Sequence, residues 1–182
     1  KVIKAKKSLG QNFLIDKNII EKITNLIDVK SKMILEVGPG TGNLTSALLE
    51  KKPKKLLVIE KDNYLSNLLK EKFGKKVDIL NEDILNVNEN LLSNETFSVF
   101  GNLPYNISTE ILCKWILNIN DSKIWFDNLI LMFQKEVADR IISNYNNKNY
   151  GRLSILSNWK LKIKKICDID SSCFLPKPKI KS

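Results

Sequence analysis

The sequence predicts an α/β fold, a mostly parallel sheet with helices on both faces. Three observations predict it. Short apolar runs alternate with stretches whose apolar residues recur at helical spacing. A glycine-rich turn, "EVGPGTG" (36–42), follows the first strand-like run. Polar residues, Glu60, Asp83 and Asn102, stand at or just beyond the ends of later runs, and an open parallel sheet delivers its strand ends to one edge, where ligands bind.

The elements follow in order. Asp16 is placed to cap a helix in which Ile19, Ile20, Ile23 and Ile27 share a face. "MILEV" (33–37) reads as a buried strand, and "TGNLTSALLEKK" as the next helix, with Leu44, Ala47 and Leu48 inward. "LLVIE" (56–60) is a strand, followed by a helix from Tyr64 to about Phe73. "VDIL" (77–80) and "FSVFG" (97–101) continue the strands. A helix through Ile111, Trp115 and Ile116, the strand "LILMF" (129–133) and a helix through Val137 and Ile141 complete the series. The order β-α-β-α-β-β-α-β-α is that of a parallel sheet.

Composition sets the class. The chain has 182 residues, 43% of them hydrophobic and 27% charged, which fits one globular domain. No apolar run has the length of a membrane span, so no membrane role is expected. A first residue that is not methionine is expected of a fragment or a processed form. The net charge of +10 comes almost wholly from lysine, with Arg140 and Arg152 the only arginines. It favours polyanionic partners, nucleic acid first, although a Lys-, Asn- and Ile-rich chain also results from an AT-rich genome. Lys1, Lys4, Lys6 and Lys7 precede "SLGQNFL", and Lys160, Lys162, Lys164 and Lys165 lie near the far end. Brought to one rim, they would border a phosphate backbone. Cys113, Cys167 and Cys173 show no paired spacing, so a reducing compartment is expected, with no disulfide and no metal site. The absence of histidine excludes chemistry that needs a histidine base or ligand.

Glycines 38, 40 and 42 at a strand–helix junction let backbone pass close to a ligand, beside the free N–H groups of a helix start. The dinucleotide pattern G-x-G-x-x-G would need glycine at 43, where Asn43 stands, which counts against NAD. Glu60 has the spacing of a carboxylate that accepts from both ribose hydroxyls of a nucleoside. Asp83 can accept from an adenine amine, or it can simply cap a helix. Together these strand ends describe a pocket for an adenosine-bearing cofactor.

The stretch "GNLPYNIST" then acquires a chemical meaning. The amine of a nucleobase is a poor nucleophile because its lone pair is delocalised into the ring. The Asn102 side-chain oxygen and the Leu103 carbonyl can accept its N–H bonds and favour a localised lone pair. Pro104 lacks an N–H and fixes the turn, and Tyr105 can stack on the base. No general base is required, because an alkylated ammonium is acidic enough to give its proton to water.

"SLGQNFLID", "EVGPGTGNLT", "VIEKD", "EDIL", "GNLPYNIST", "LMFQKEVADRI", "YGRLSI" and "CFLPKPKIKS" resemble, in order and over nearly the whole chain, the motifs of the ribosomal RNA adenine N6,N6-dimethyltransferases of the small-subunit, kasugamycin-resistance type. The resemblance implies a class I (Rossmann-like) methyltransferase fold. It implies dimethylation of two adjacent adenines in small-subunit (16S-type) ribosomal RNA, with S-adenosylmethionine consumed to S-adenosylhomocysteine, no metal, and a part in ribosome biogenesis. Residues 1–182 would be the catalytic domain, with 1–30 an entrance segment for cofactor and RNA.

Carried over by position, Asn12 and Leu14 would close over the cofactor, and Glu36, Gly38 and Gly40 would form the turn beneath it. Glu60 would hold the ribose, and Asp83 with the Ile84 backbone would read the adenine. Asn102, which would also touch the cofactor, and Leu103, Pro104 and Tyr105 would embrace the target base, with Phe174 stacking from the other side unless it is an ordinary buried aromatic. Gln11 and Phe13 flank the entrance and are candidates for RNA contact. The partner would be small-subunit RNA within a pre-30S-type particle, the protein a monomer, and the compartment cytoplasmic, with a mitochondrion or plastid the alternative. Two relatives share motifs: the large-subunit enzymes of the macrolide-resistance type, and non-catalytic mitochondrial transcription-factor-like proteins. The first usually carry isoleucine and histidine where this chain has Leu103 and Asn106. Family members continue beyond "PKPKIKS" into a last strand and a C-terminal helical domain absent from this sequence, so this chain is expected to keep a cofactor pocket but to engage RNA poorly.

Overall fold

The computed structural model describes residues 5–119 and 123–182. Five strands form one sheet: β2 (Met33–Val37), β3 (Lys55–Ile59), β4 (Asp78–Leu80), β5 (Phe97–Asn102) and β6 (Phe126–Met132). All are parallel, in the spatial order β4-β3-β2-β5-β6. The chain runs outward from β2 to β4, then returns to lay β5 on the other side of β2. The strand order therefore reverses between β2 and β5, and a crevice opens at such a point beyond the carboxyl ends of the strands. A two-residue β1 (Phe13–Leu14) pairs antiparallel with β7 (Phe174–Leu175) away from this sheet.

Alternation along the strands divides the core. Met33, Leu35 and Val37 face the layer of Ile111, Trp115 and Ile141, carried on α4 (Ser108–Leu117) and α5 (Lys135–Ile141). Ile34 faces the opposite layer with α1 (Lys17–Thr24), α2 (Asn43–Glu50) and α3 (Asn63–Phe73), through Ile20, Ile23, Leu44, Leu48 and Leu69. β2 is buried along its whole length, which is why it reads as an unbroken apolar run. Asp16 caps α1 as expected, accepting from the Ile19 N–H at 2.9 Å.

Several elements differ from the sequence reading: α1 ends at Thr24, short of Ile27, and the β1–β7 pair was not expected. β6 begins three residues earlier than its apolar run, because Asp127 and Asn128 lie exposed on the sheet's edge strand and Asp127 is held by the Ser98 hydroxyl at 2.7 Å. A further helix, α6 (Arg152–Lys160), packs on α4 and α5. Its buried residues are Ser154 and Ser157 rather than aliphatic side chains, so it shows no apolar stripe. Ser154 donates to the Arg140 carbonyl at 2.5 Å and accepts the Gly151 N–H at 3.2 Å.

The lysine clusters attach to different elements. Lys6 pairs with Asp62 beside α3, and Lys160 ends α6 over the Trp159 ring. Lys1, Lys4 and the Lys7 side chain lie outside the described residues. Among the described residues no helix is long and apolar enough to cross a membrane.

Glu36, expected in the turn beneath the cofactor, lies within β2. On β2 it shares the face of Ile34, is 1% exposed, and accepts the Thr45 hydroxyl of α2 at 2.6 Å. It does not border the cleft beyond the strand end. Burial raises its pKa to about 8, eased by the Thr45 bond and reinforced by the charge of Glu60. The folded protein thus holds a proton here that the unfolded chain releases near the ordinary carboxylate value. Stability accordingly falls as pH rises between those values, by up to about 1.4 kcal/mol per pH unit. Glu36→Gln should remove that slope, so its melting temperature should gain on the parent between pH 5 and pH 8 in a calorimetric series.

Candidate active site

Gly38 leaves β2 with φ +72°, and a Cβ there would stand 2.7 Å from the backbone oxygen of Asn102, at the end of β5. Only glycine permits both the left-handed turn and this approach. Gly40, at φ +56°, lies against the Phe13 ring, 2.6 Å from where its own Cβ would be. α2 starts at Gly42 without a side-chain cap, so its first N–H groups keep their donor capacity.

A cleft opens beyond these turns. Residues 8–13 cover it from the N-terminal side, with Val37, Gly38 and Gly40 beneath and Ile59 to Lys61 at one end. Glu82 to Ile84 form the adjoining wall, and Asn102 to Ile107 the other end. The sequence-predicted Asn12, Gly38, Gly40, Glu60, Asp83, Ile84, Asn102, Leu103, Pro104 and Tyr105 all border it. Phe13 and Gln11 do too.

The carboxylates are tuned differently. Glu60 is buried; one oxygen accepts the Asp62 N–H at 2.8 Å and the other the Gly40 N–H at 3.4 Å. Burial raises its pKa to about 6, against the pull of those bonds. Asp83 caps a short 3-10 turn by accepting the Leu85 N–H at 3.0 Å, and it takes Lys61 Nζ at 2.7 Å. Burial pushes its carboxyl up, but the Lys61 and Leu85 bonds outweigh it and hold Asp83 below the usual range. The cap reading is therefore right, and Asp83 borders the cleft as well.

At the far end Asn102 Nδ2 donates to the Asn12 carbonyl at 2.7 Å, which leaves Oδ1 as its acceptor. The Leu103 side chain is buried over Gly101, and no described residue donates to its carbonyl. The Pro104 carbonyl accepts the Ile107 N–H at 3.1 Å, closing the turn into α4. The Tyr105 hydroxyl is bonded to Ser182 Oγ, and burial, eased by that bond, keeps the phenol neutral by raising its pKa.

Phe174 and Leu14 lie outside the cleft lining. Phe174 is 2% exposed and packs with Leu14 in the α1–α2 layer. In a strand alternate residues face opposite sides, and here Leu175 takes the exposed one. In this arrangement the Phe174 ring is a buried aromatic. Leu14 is likewise buried; its carbonyl accepts Asn43 Nδ2 at 2.9 Å, so it secures the entrance segment to α2 rather than lining the cleft. Gln11 spends its side chain on the protein, accepting the Lys6 N–H at 2.7 Å and donating to Asp62 at 3.3 Å. The sequence reading passed over Asp62, although its position before "NYL" is an N-cap signal. Its carboxyl is pushed up by burial but held below the usual range by Lys6, Leu65, Tyr64 and Gln11.

Residues 2–182 match the family of ribosomal RNA adenine dimethylases. The chain belongs to that family. It is 65% identical to the ribosomal RNA small subunit methyltransferase A of Pelagibacter ubique, over 99% of this chain and 68% of that protein. The namesake of Wolbachia from Drosophila simulans is 46% identical over all of this chain and 66% of its own length. The chain thus spans about two thirds of these curated relatives. Among solved structures, a dimethyladenosine transferase from Plasmodium falciparum superposes with a TM-score of 0.80 at 31% identity, covering 93% of this chain and 60% of that one. The 23S rRNA methyltransferase ErmE gives 0.75 at 27% identity, covering 93% and 66%. The sheet is accordingly the Rossmann-like one of methyltransferases.

The residues present fit S-adenosylmethionine. A glycine cradle that a Cβ would fill lies between two carboxylates with spare acceptor capacity and a free amide oxygen. Hydroxyl donors on a ribose favour ionised Glu60. Affinity for S-adenosylhomocysteine should therefore fall as pH drops through about 6, by up to tenfold per unit. Glu60→Gln should bind more weakly throughout and lose that pH dependence in titration calorimetry.

Proposed function

We propose that this protein transfers methyl groups from S-adenosylmethionine to N6 of two adjacent adenines in small-subunit (16S-type) ribosomal RNA, within a pre-30S-type particle, and so contributes to ribosome biogenesis. The names of the relatives support the substrate, and the bacterial sources of the curated ones support a cytoplasmic place of action. The observation that carries the chemistry is the anchored Asn102 amide, whose donor end is committed to Asn12 and whose acceptor end remains for a nucleobase amine.

When bound, S-adenosylmethionine supplies an electrophilic methyl group on a sulfonium. The protein's residues position and polarise. Glu60 would receive the ribose hydroxyls, and Asp83 beside Ile84 the adenine amine of the cofactor. Asn102 Oδ1 and the Leu103 carbonyl would accept both hydrogens of the target N6, drawing its lone pair out of conjugation and stabilising the charge that develops on it. Tyr105, its hydroxyl fixed by Ser182, would stack on a base flipped from its helix. No side chain must remove a proton before transfer, which suits a chain without histidine.

The test is methyl incorporation into undermethylated small subunits by the full-length protein, with mapping of the modified bases. Dimethylation of two neighbouring adenines is expected, and modification of large-subunit RNA instead would overturn the assignment. Asn102→Ala should lower the rate by about 10²–10³, the size of losing one preorganised hydrogen-bond partner of a transition state. Tyr105→Ala should cost about 1–3 kcal/mol in kcat/KM for RNA, with S-adenosylhomocysteine affinity nearly unchanged.

A further inference from the structure

Residues 6–13 form a strap over the cleft, and it is tied at both ends of the site. At the target end its Asn12 carbonyl holds Asn102 at 2.7 Å, and its Ser8 carbonyl accepts Asn106 Nδ2 at 3.3 Å. At the ribose end every side-chain tie converges on one carboxylate. Asp62 Oδ2 takes Lys6 Nζ at 2.7 Å and Gln11 Nε2 at 3.3 Å. Its other oxygen caps α3, accepting the Tyr64 and Leu65 N–H groups at 2.9 and 3.3 Å. Its backbone N–H holds Glu60 at 2.8 Å. The Asp62 side chain is almost wholly buried, while that of Lys6 is more than half exposed.

We infer that Asp62 is a positioning residue that latches the strap over the cofactor cleft, so that breaking its contacts with Lys6 and Gln11 governs how fast the adenosyl ligand leaves. The inference rests on the reading of the cleft as an S-adenosylmethionine site. Its physical basis is the division of labour between the two oxygens. One belongs to the rigid body of the sheet through the α3 cap, the other to the strap, and a charge-assisted bond is about twice as strong as a neutral one. Lys6 reaches its partner from solvent, so the latch can open without exposing apolar core.

Asn is as good an N-cap as Asp, so Asp62→Asn keeps the α3 cap and the backbone bond to Glu60 while removing the charge that holds Lys6. In the full-length protein, dissociation of S-adenosylhomocysteine from Asp62→Asn should be about tenfold faster, the scale of one lost charged hydrogen bond. Amide exchange in residues 8–13 of the ligand-free protein should rise with it, while the melting temperature stays close to that of the parent. Lys6→Met should reproduce both changes, and Lys6→Arg should restore parental behaviour. Unchanged exchange of the strap in Asp62→Asn would overturn the latch, as would faster exchange with an unchanged dissociation rate. Failure of the parent protein to bind S-adenosylhomocysteine would instead overturn the assignment of the cleft, and the ligand-free exchange would then still decide whether Asp62 holds the strap.

Discussion

The site depends on two strand ends lying closer together than any side chain would allow. β2 and β5 are paired up to Val37 and Gly101, and one residue later the Gly38 turn passes so near the Asn102 carbonyl that a methyl group would not fit. That contact sets the glycine turn beside the amide. The reversal of strand order supplies the crevice, and the missing Cβ lets its two sides approach. On the proposed function, a wider separation would hold cofactor and base too far apart for direct transfer, because reacting atoms must be held at about 3–3.5 Å.

The cover of the cleft is built from chain segments distant in sequence. β1 is paired to β7, and the Ile15 N–H donates to the Cys173 carbonyl at 2.9 Å, so the strap is rooted in the hairpin-like segment 169–182. That segment closes on itself through reciprocal Ile169–Ser182 backbone bonds, and Ser182 reaches the Tyr105 hydroxyl. The piece that anchors the strap also fixes the Tyr105 ring. Phe174 contributes from inside this arrangement, as a core residue that seats β7 on the α1–α2 layer.

Much of the fold was legible because its signals are local. Leu35 and Val37 in an apolar run, Asp16 and the isoleucines after it, and three glycines in five residues each act within a few positions. Residues bordering the cleft at strand ends were legible for the same reason: the sheet's geometry, once inferred, places Glu60, Asp83 and Asn102 there without further information. What escaped was set by tertiary contact. α6 buries two serines, of which Ser154 finds a backbone partner in α5, a pattern with no hydrophobic period. Glu36 shares its run with aliphatic residues, and only the alternation of the strand against α2 sends it into the core. Asp62 carried a cap signal that was overshadowed by Glu60 two residues before it, and its second role depends on a lysine 56 positions away.

Four of the acidic side chains in and around the cleft show how one fold assigns different work to one functional group. Glu36 is fully enclosed with a single hydroxyl partner, and burial wins, leaving it protonated at neutral pH. Asp62 and Asp83 each have a lysine and backbone N–H groups, and those partners win, leaving them charged. Glu60 lies between: it is buried but accepts two backbone N–H groups, and its pKa of about 6 leaves it ionised near neutrality without a cation to satisfy it. A carboxylate in that state has acceptor capacity that the protein does not use. Donation from ribose hydroxyls would supply what a lysine supplies to Asp62 and Asp83, and would do so without introducing a positive charge beside a cationic cofactor. The same reasoning suits the target end, where neutral oxygens of Asn102 and Leu103 stand instead of a carboxylate. They can favour the charge developing on N6 without binding a proton themselves, so the site has no need of the histidine that the chain lacks.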